Sequence, residues 1–217
     1  MCPADKEKTM RVNELKANRV VCEELVSHAG GAPKIAVSGA GTSASATVVA
    51  TEANTGVFYK TTLKCTALPV TITDDAGVAQ YGGVKIYDFP EGVICTLGAV
   101  VSGSITAGVT GTIIDNWDGD VALGTATATT GATLTGTEAD IMPSVAVSAG
   151  AADKIGVVSA ASVATALTES GARWFDGSST AKDLYLNFVI DDDATHTAGT
   201  AAFTGTVTIL WANIADK

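Results

Sequence analysis

The chain has 217 residues, and 36 Ala, 30 Thr and 23 Gly make up about 41% of it. Only 17% of residues are charged and 47% are hydrophobic, which excludes charge-driven disorder. The longest apolar runs, such as Gly92–Val101, fall well short of the roughly 20 residues a membrane-spanning helix needs. The formal charge of −10 is uneven: residues 1–34 hold six bases and five acids, and no Lys or Arg occurs between Ile86 and Asp153. An acidic body of this kind repels phosphate backbones, which argues against sequence-independent nucleic-acid binding.

Residues 1–34 form a first region of mixed charge. Val12, Leu15, Arg19, Cys22 and Val26 follow a helical course, and Gly30-Gly31 then Pro33 stop it. An amphipathic helix over about 11–28 is one reading; an extended arm that orders only against a partner is the other. No apolar stretch follows Met1-Cys-Pro-Ala4, so no Sec-type signal peptide is expected.

From Lys34 onward the apolar period becomes two, and residues 35–217 read as one β body. Strands are predicted over Ser45–Thr51, Val57–Cys65 and Val70–Thr73, with a turn at Asp74–Gly77. Val84–Phe89, Val93–Val101 and Ser104–Ile114 follow, then Thr-rich candidates at Val121–Thr130 and Ala132–Thr135. Asp140–Pro143 reads as a single helical turn. Ser159–Ser170, closed by Gly171, reads as a short helix. At the C-terminal end Leu184, Leu186, Phe188 and Ile190 share one face, as do Phe203, Gly205, Val207, Ile209 and Trp211. That alternation predicts a β-hairpin with one buried face and Thr204, Thr206 and Thr208 on the other. The fold expected is a mainly β antiparallel sandwich, jelly-roll-like, with an N-terminal arm and one or two short helices.

The residue types that carry catalysis are sparse. His28 and His196 are the two histidines, and both fall in regions that read as exposed. A nucleophile triad needs a histidine held by packing and oriented by a carboxylate. Lys34–Ala44 holds a Gly39-Ala-Gly41 phrase, yet a strand-like Ser45–Thr51 follows where dinucleotide binding needs a helix. Asp115–Asp120 is the most acidic turn, but a calcium loop fails on position: Trp117 takes the third place and Asp120 the glycine place. It reads as an Asp-Gly turn, although sequence leaves a cation site there open, and Asp191-Asp192-Asp193 reads as a solvated loop. Cys2, Cys22, Cys65 and Cys95 have neither metal-ligand spacing nor a nearby histidine and read as free thiols; sequence leaves a Cys65–Cys95 disulfide open. Of the tryptophans, Trp211 fits the core and Trp174 an exposed corner or interface anchor, while a sugar platform with Trp117 is the alternative role. No enzymatic activity, cofactor or metal is expected, and no catalytic, cofactor-binding or metal-binding residue is assigned.

Gly82–Gly92, Asp118–Thr125, Asp183–Ile190 and Gly205–Trp211, set in a Thr/Ala/Gly-rich β body with a separate arm, resemble the capsid decoration (cement) proteins of tailed bacteriophages. The resemblance covers roughly residues 82–211. It implies a non-enzymatic virion protein, made in the host cytoplasm, that sits on the outer capsid surface and stabilises the shell by binding the major capsid protein. Neighbouring copies on the lattice, or a homo-oligomer, would be further partners, with no direct contact to nucleic acid or membrane. The alternative is a phage tail or fibre component, or a carbohydrate-binding β-sandwich recognising a host surface.

The arm generates the first prediction. Deleting residues 1–34 leaves the β body folded by circular dichroism and abolishes binding to capsids in a co-sedimentation assay; a truncated chain that still co-sediments overturns it.

Overall fold

The computed structural model describes residues 41–55, 58–75, 79–107, 119–147, 160–161, 174–191 and 198–215. The expected arm (1–34) lies outside them. The described chain is mainly antiparallel β. Its strands are β1 Thr42–Ser43, β2 Val48–Asn54, β3 Phe58–Asp75, β4 Ala79–Asp88, β5 Val93–Ala107, β6 Gly119–Gly124, β7 Met142–Val147, β8 Ala160–Ala161, β9 Trp174–Asp176, β10 Asp183–Asp191 and β11 Gly199–Ala215.

Pairing is nested along the chain. β3 pairs β11, β4 pairs β10, β5 pairs β8 and β9, and β6 pairs β7. Two further ladders, β5–β11 and β6–β10, set these pairs side by side. The result is two half-sheets, β2-β3-β11-β5 with β8 and β9 at its edge, and β1-β4-β10-β6-β7. Folding the antiparallel ribbon back in this way sets strands distant in sequence side by side, in a sandwich-like arrangement. The halves stay joined where Ile72–Asp75 of β3 pairs with Ala79–Gly82 of β4, so the body is one curled sheet.

The alternation read from sequence places the core correctly. Leu63, Val70, Ile72, Leu184, Leu186, Phe188, Ile190, Val207, Ile209 and Trp211 belong to one buried cluster between the half-sheets. The C-terminal hairpin is not observed. β10 pairs with β4 and β6, whereas β11 pairs with β3 and β5. Their apolar faces meet across the core instead, with the Phe188 and Phe203 rings 6.2 Å apart. Alternation reports which face is buried, and both arrangements bury the same faces.

Other boundaries also move. The described part of Val57–Cys65 and Val70–Thr73 lie on a single strand, β3, interrupted by a bulge. Cys65 pairs with Gly205 and Leu68 with Phe203, so Thr66 and Ala67 together oppose Thr204. Ala67 takes a left-handed φ of 47° there, and its N–H donates to Thr204 Oγ1 at 3.0 Å. Val93–Val101 and the described part of Ser104–Ile114 are likewise one strand, β5.

The segments Thr125–Thr130 and Ala132–Thr135 are not strands, and Asp140–Pro143 is not a turn of helix. Residues 125–141 form a loop with a 3-10 turn at Gly136–Glu138, and Met142 opens β7. Of the Ser159–Ser170 helix, Ala160–Ala161 pair with β5 as strand and the rest lies outside the described residues.

The 125–141 loop covers the outer face of β10 and β6. Beneath it Ala79, Ala122, Ala128, Leu134 and Val189 form a second small core. Asn187, fully buried, fixes the loop. Its Oδ1 accepts from the Ala128 N–H at 2.9 Å, and its Nδ2 donates to the carbonyls of Ala126 and Glu138 at 2.9 and 2.8 Å. A side chain at Gly83 would collide with that amide, since its Cβ would stand 2.3 Å from Asn187 Oδ1. Three bonds on one buried side chain hold a segment whose sequence has no strand period.

Far from the β3–β4 turn, aromatic side chains close the roll. Trp211 stacks on Tyr59 at 4.1 Å between centroids and meets Phe89 edge-on at 5.4 Å. Its Nε1 donates to Thr61 Oγ1 at 2.8 Å. Phe89 also meets Tyr87 edge-on and packs near Phe175. The Tyr87 hydroxyl donates to Glu52, so β4 and β2 are bonded across the two halves.

Trp211→Ala should cost about 3–5 kcal/mol through lost burial and a cavity. Urea denaturation checks this; an unchanged midpoint overturns the placement of Trp211 at the closure.

Candidate interaction face

The outer face of the β2-β3-β11-β5 half-sheet is built in transverse rows fixed by register. One row is Phe58, Ala212, Cys95 and Trp174. The next is Ala53, Lys60, Leu210 and Gly98. The third is Thr51, Thr62, Thr208 and Val100, and the fourth Val49, Lys64, Thr206 and Ser102. A register shift in β5 leaves Leu97 beside the second row.

Composition changes along this face. One end follows the expected Thr pattern. The other exposes Phe58 by 56%, Trp174 by 52%, Leu210 by 46% and Leu97 by 44%. Large apolar side chains clustered on a sheet face mark contact surfaces, whereas scattered ones need no explanation. A groove of about 410 Å3 opens there, walled by Ala53, Thr55, Phe58, Leu97 and Leu210 with Lys60 at its rim. Above Gly98 there is open space: a Cβ built on it meets nothing within 4 Å.

Across four rows the face carries charge opposite to that of the molecule, with the exposed Asp176 lying past them on β9. Its four rows contain Lys60 and Lys64 and no Asp or Glu. Glu52, on β2 between Thr51 and Ala53, points the other way and accepts from the Tyr87 and Thr61 hydroxyls. Burial, reinforced by the Glu52 bond, pushes the Tyr87 phenol above its ordinary value. An ionic cluster lies on the other half-sheet. There Lys85 pairs with Asp88 and, at 2.9 Å, with Asp183. Partial burial alone would raise the Asp183 carboxyl, but the bond donated by the Lys85 ammonium, the Lys85 charge and the Tyr185 hydroxyl outweigh it and hold it below the ordinary value. Asp140 moves the opposite way. Burial raises it, although the Thr125 N–H and hydroxyl donate to its two oxygens at 2.8 and 2.6 Å.

The residues singled out in the sequence do not converge. His28, His196, Trp117, Asp115 and the 192–193 acids lie outside the described residues. Thr42-Ser43 of the Gly-rich phrase form β1 against Tyr87 and Asp88, and a turn then β2 follow it. Asp120 sits in β6 opposite Val189, and Asp191 ends β10 opposite Ala79. Cys65 and Cys95 are both buried and not joined in a disulfide, and burial pushes Cys65 up to about 11, away from a reactive thiolate. Among the described residues no three His, Cys, Asp or Glu side chains gather as a metal site would need. Trp211 is fully buried and Trp174 exposed, as their contexts suggested.

Sequence reading missed Phe58 and Leu210. The signal was their parity: each is the immediate neighbour of a core aromatic, Tyr59 or Trp211, and so points outward. Leu97 carried no such signal, because it lies at the register shift in β5. The chain matches no protein-family model, no curated protein and no solved structure.

The opposed carboxyl shifts give a signed pH prediction. A depressed Asp183 adds stability above its unfolded value and loses it as pH falls through the folded one; a raised Asp140 works in the other direction. Lys85→Met should therefore cost at most about 1 kcal/mol at neutral pH, because its partners are partly exposed. The gap to wild type should close as pH falls through the carboxylate range. Urea melts at a series of pH values measure it, and a pH-independent gap removes the ionic account.

Proposed function

We propose that this chain is a non-enzymatic virion structural protein that decorates a phage capsid and stabilises it by binding the major capsid protein. The observation that carries this reading is the exposed apolar end of an otherwise Thr-lined sheet face, on a body closed by a large core. Such a face suits contact with another protein surface.

The rest of the molecule is compatible with that task. A shell-binding protein needs a rigid body and an interface, not an activated nucleophile. Binding a folded shell subunit in preference to its unfolded state stabilises it by mass action. Repetition of the contact over a lattice multiplies the effect without any single contact being strong. The resemblance over residues 82–211 supports the same reading.

Purified particles should carry this chain in copies comparable to the major shell subunit. Particles stripped of it should release DNA at lower temperature than complete ones, read by a DNA-binding dye during heating. Equal release temperatures overturn the cementing role, and a few copies per particle point to the tail instead.

A further inference from the structure

The chemistry of the occupant can be narrowed by the charge and width of the face. Resting on the reading of that face as a docking surface, we infer that it receives a different protein chain whose contacting segment is apolar at its centre and flanked by carboxylates, and not a second copy of the same face.

Three observations converge on this. The first is charge. The chain carries a formal −10, yet the four outward rows hold two lysines and no acid. Lys60 stands beside Leu210 at the rim of the groove, and Lys64 lies two rows away on the same strand. A partner presenting carboxylates at those two positions gains complementary charge around an apolar centre, the arrangement that selects partners at interfaces.

The second is self-repulsion. A twofold dimer through this face would place the same patch on itself. Four lysines would then be gathered in one interface with no acid in the four rows to answer them, which disfavours that pairing. The third is extent. Phe58 on β3, Leu210 on β11, Leu97 and Val100 on β5 and Trp174 on β9 span four adjacent strands. At a strand spacing of about 4.8 Å, that is roughly 15 Å across. A small molecule filling the groove would leave Val100 and Trp174 uncovered, whereas a chain segment laid across the strands reaches both.

Gly98 supplies a clean probe. It sits in the second row beside Leu210, and a side chain there meets no atom of the fold. Gly98→Glu therefore puts a carboxylate at the centre of the apolar end without displacing packing.

The experiment uses the full chain and two synthetic peptides, each with a central Leu-Phe-Leu, one flanked by glutamates and the other by lysines. Calorimetric titration should show the acidic peptide binding about tenfold more tightly than the basic one, the contribution of two exposed ion pairs. The double variant Lys60→Glu, Lys64→Glu should reverse that order, and Gly98→Glu should weaken both peptides while its melting temperature stays that of wild type. Equal affinity for the two peptides, no binding to either, or an order unchanged by the double variant overturns the inference. So does sedimentation of wild type as a dimer that Gly98→Glu dissociates, which would assign the face to a second copy. Peptide binding does not depend on capsids: particles that fail to take up a chain with the expected peptide preference would remove the decoration reading and leave the chemistry of the face standing.

Discussion

The closure of a curled sheet around Trp211 is the interaction on which the body depends. Among the described residues the two half-sheets share backbone pairing only where Ile72–Asp75 meets Ala79–Gly82. Beyond it they are held by side chains. Trp211 stacks on Tyr59, packs edge-on to Phe89 and donates its indole N–H to Thr61. Each contact answers a separate need: area removed from water, ring geometry, and a partner for the one polar atom of the indole. The Tyr87–Glu52 bond ties the opposite half to the same place. Without this cluster the halves would be free to splay about their shared turn.

Outside the core, the two faces of the roll are treated differently. On the β10–β6 side the 125–141 loop, fixed by Asn187, covers the sheet and adds a second apolar layer. On the β3–β11–β5 side threonines and lysines give way to Phe58, Leu210, Leu97 and Trp174. One face is thus covered from within the chain and the other keeps an apolar end exposed. The ion pairs of Lys85 with Asp88 and Asp183, and the Asp140 carboxylate bonded by Thr125, belong to the covered half.

Much of the burial pattern was legible in the residues and little of the pairing. Leu184 to Ile190 and Phe203 to Trp211 declared their inward faces through strict alternation, and the structure keeps every one of those faces. Which strands adjoin is decided by contacts distant in sequence, so β10 and β11 looked like a hairpin and are not. The Thr-rich run 125–135 looked like strand because threonine favours extended backbone. Asn187, a single residue some fifty positions away, holds it as a loop instead. The Ala67 bulge was hidden for a related reason: an alanine at positive φ has no sequence signature, so Val57–Cys65 and Val70–Thr73 read as two strands. The candidate face was half legible, since parity placed Phe58 and Leu210 outward, while the register shift beside Leu97 was invisible.

The nested pairing has a consequence for how the chain acquires its structure. β3 has β2 and β4 nearby in sequence but waits for β11, whose paired residues lie about 130 to 150 positions downstream. Loop closure over such distances must precede the contacts that reward it, so a topology of this kind belongs among slow folders, on the millisecond-to-second scale or longer. During synthesis at about 5–20 residues per second, β3 and β5 emerge well before β11 fills the gap between them. Until then both present unpaired strand edges, the surfaces on which nascent chains join one another. The lysines of β3 and the glycines scattered through β5 are suited to that interval, because charge and poor strand propensity both discourage edge-to-edge association. Residues that shape the finished face would then also protect the unfinished one.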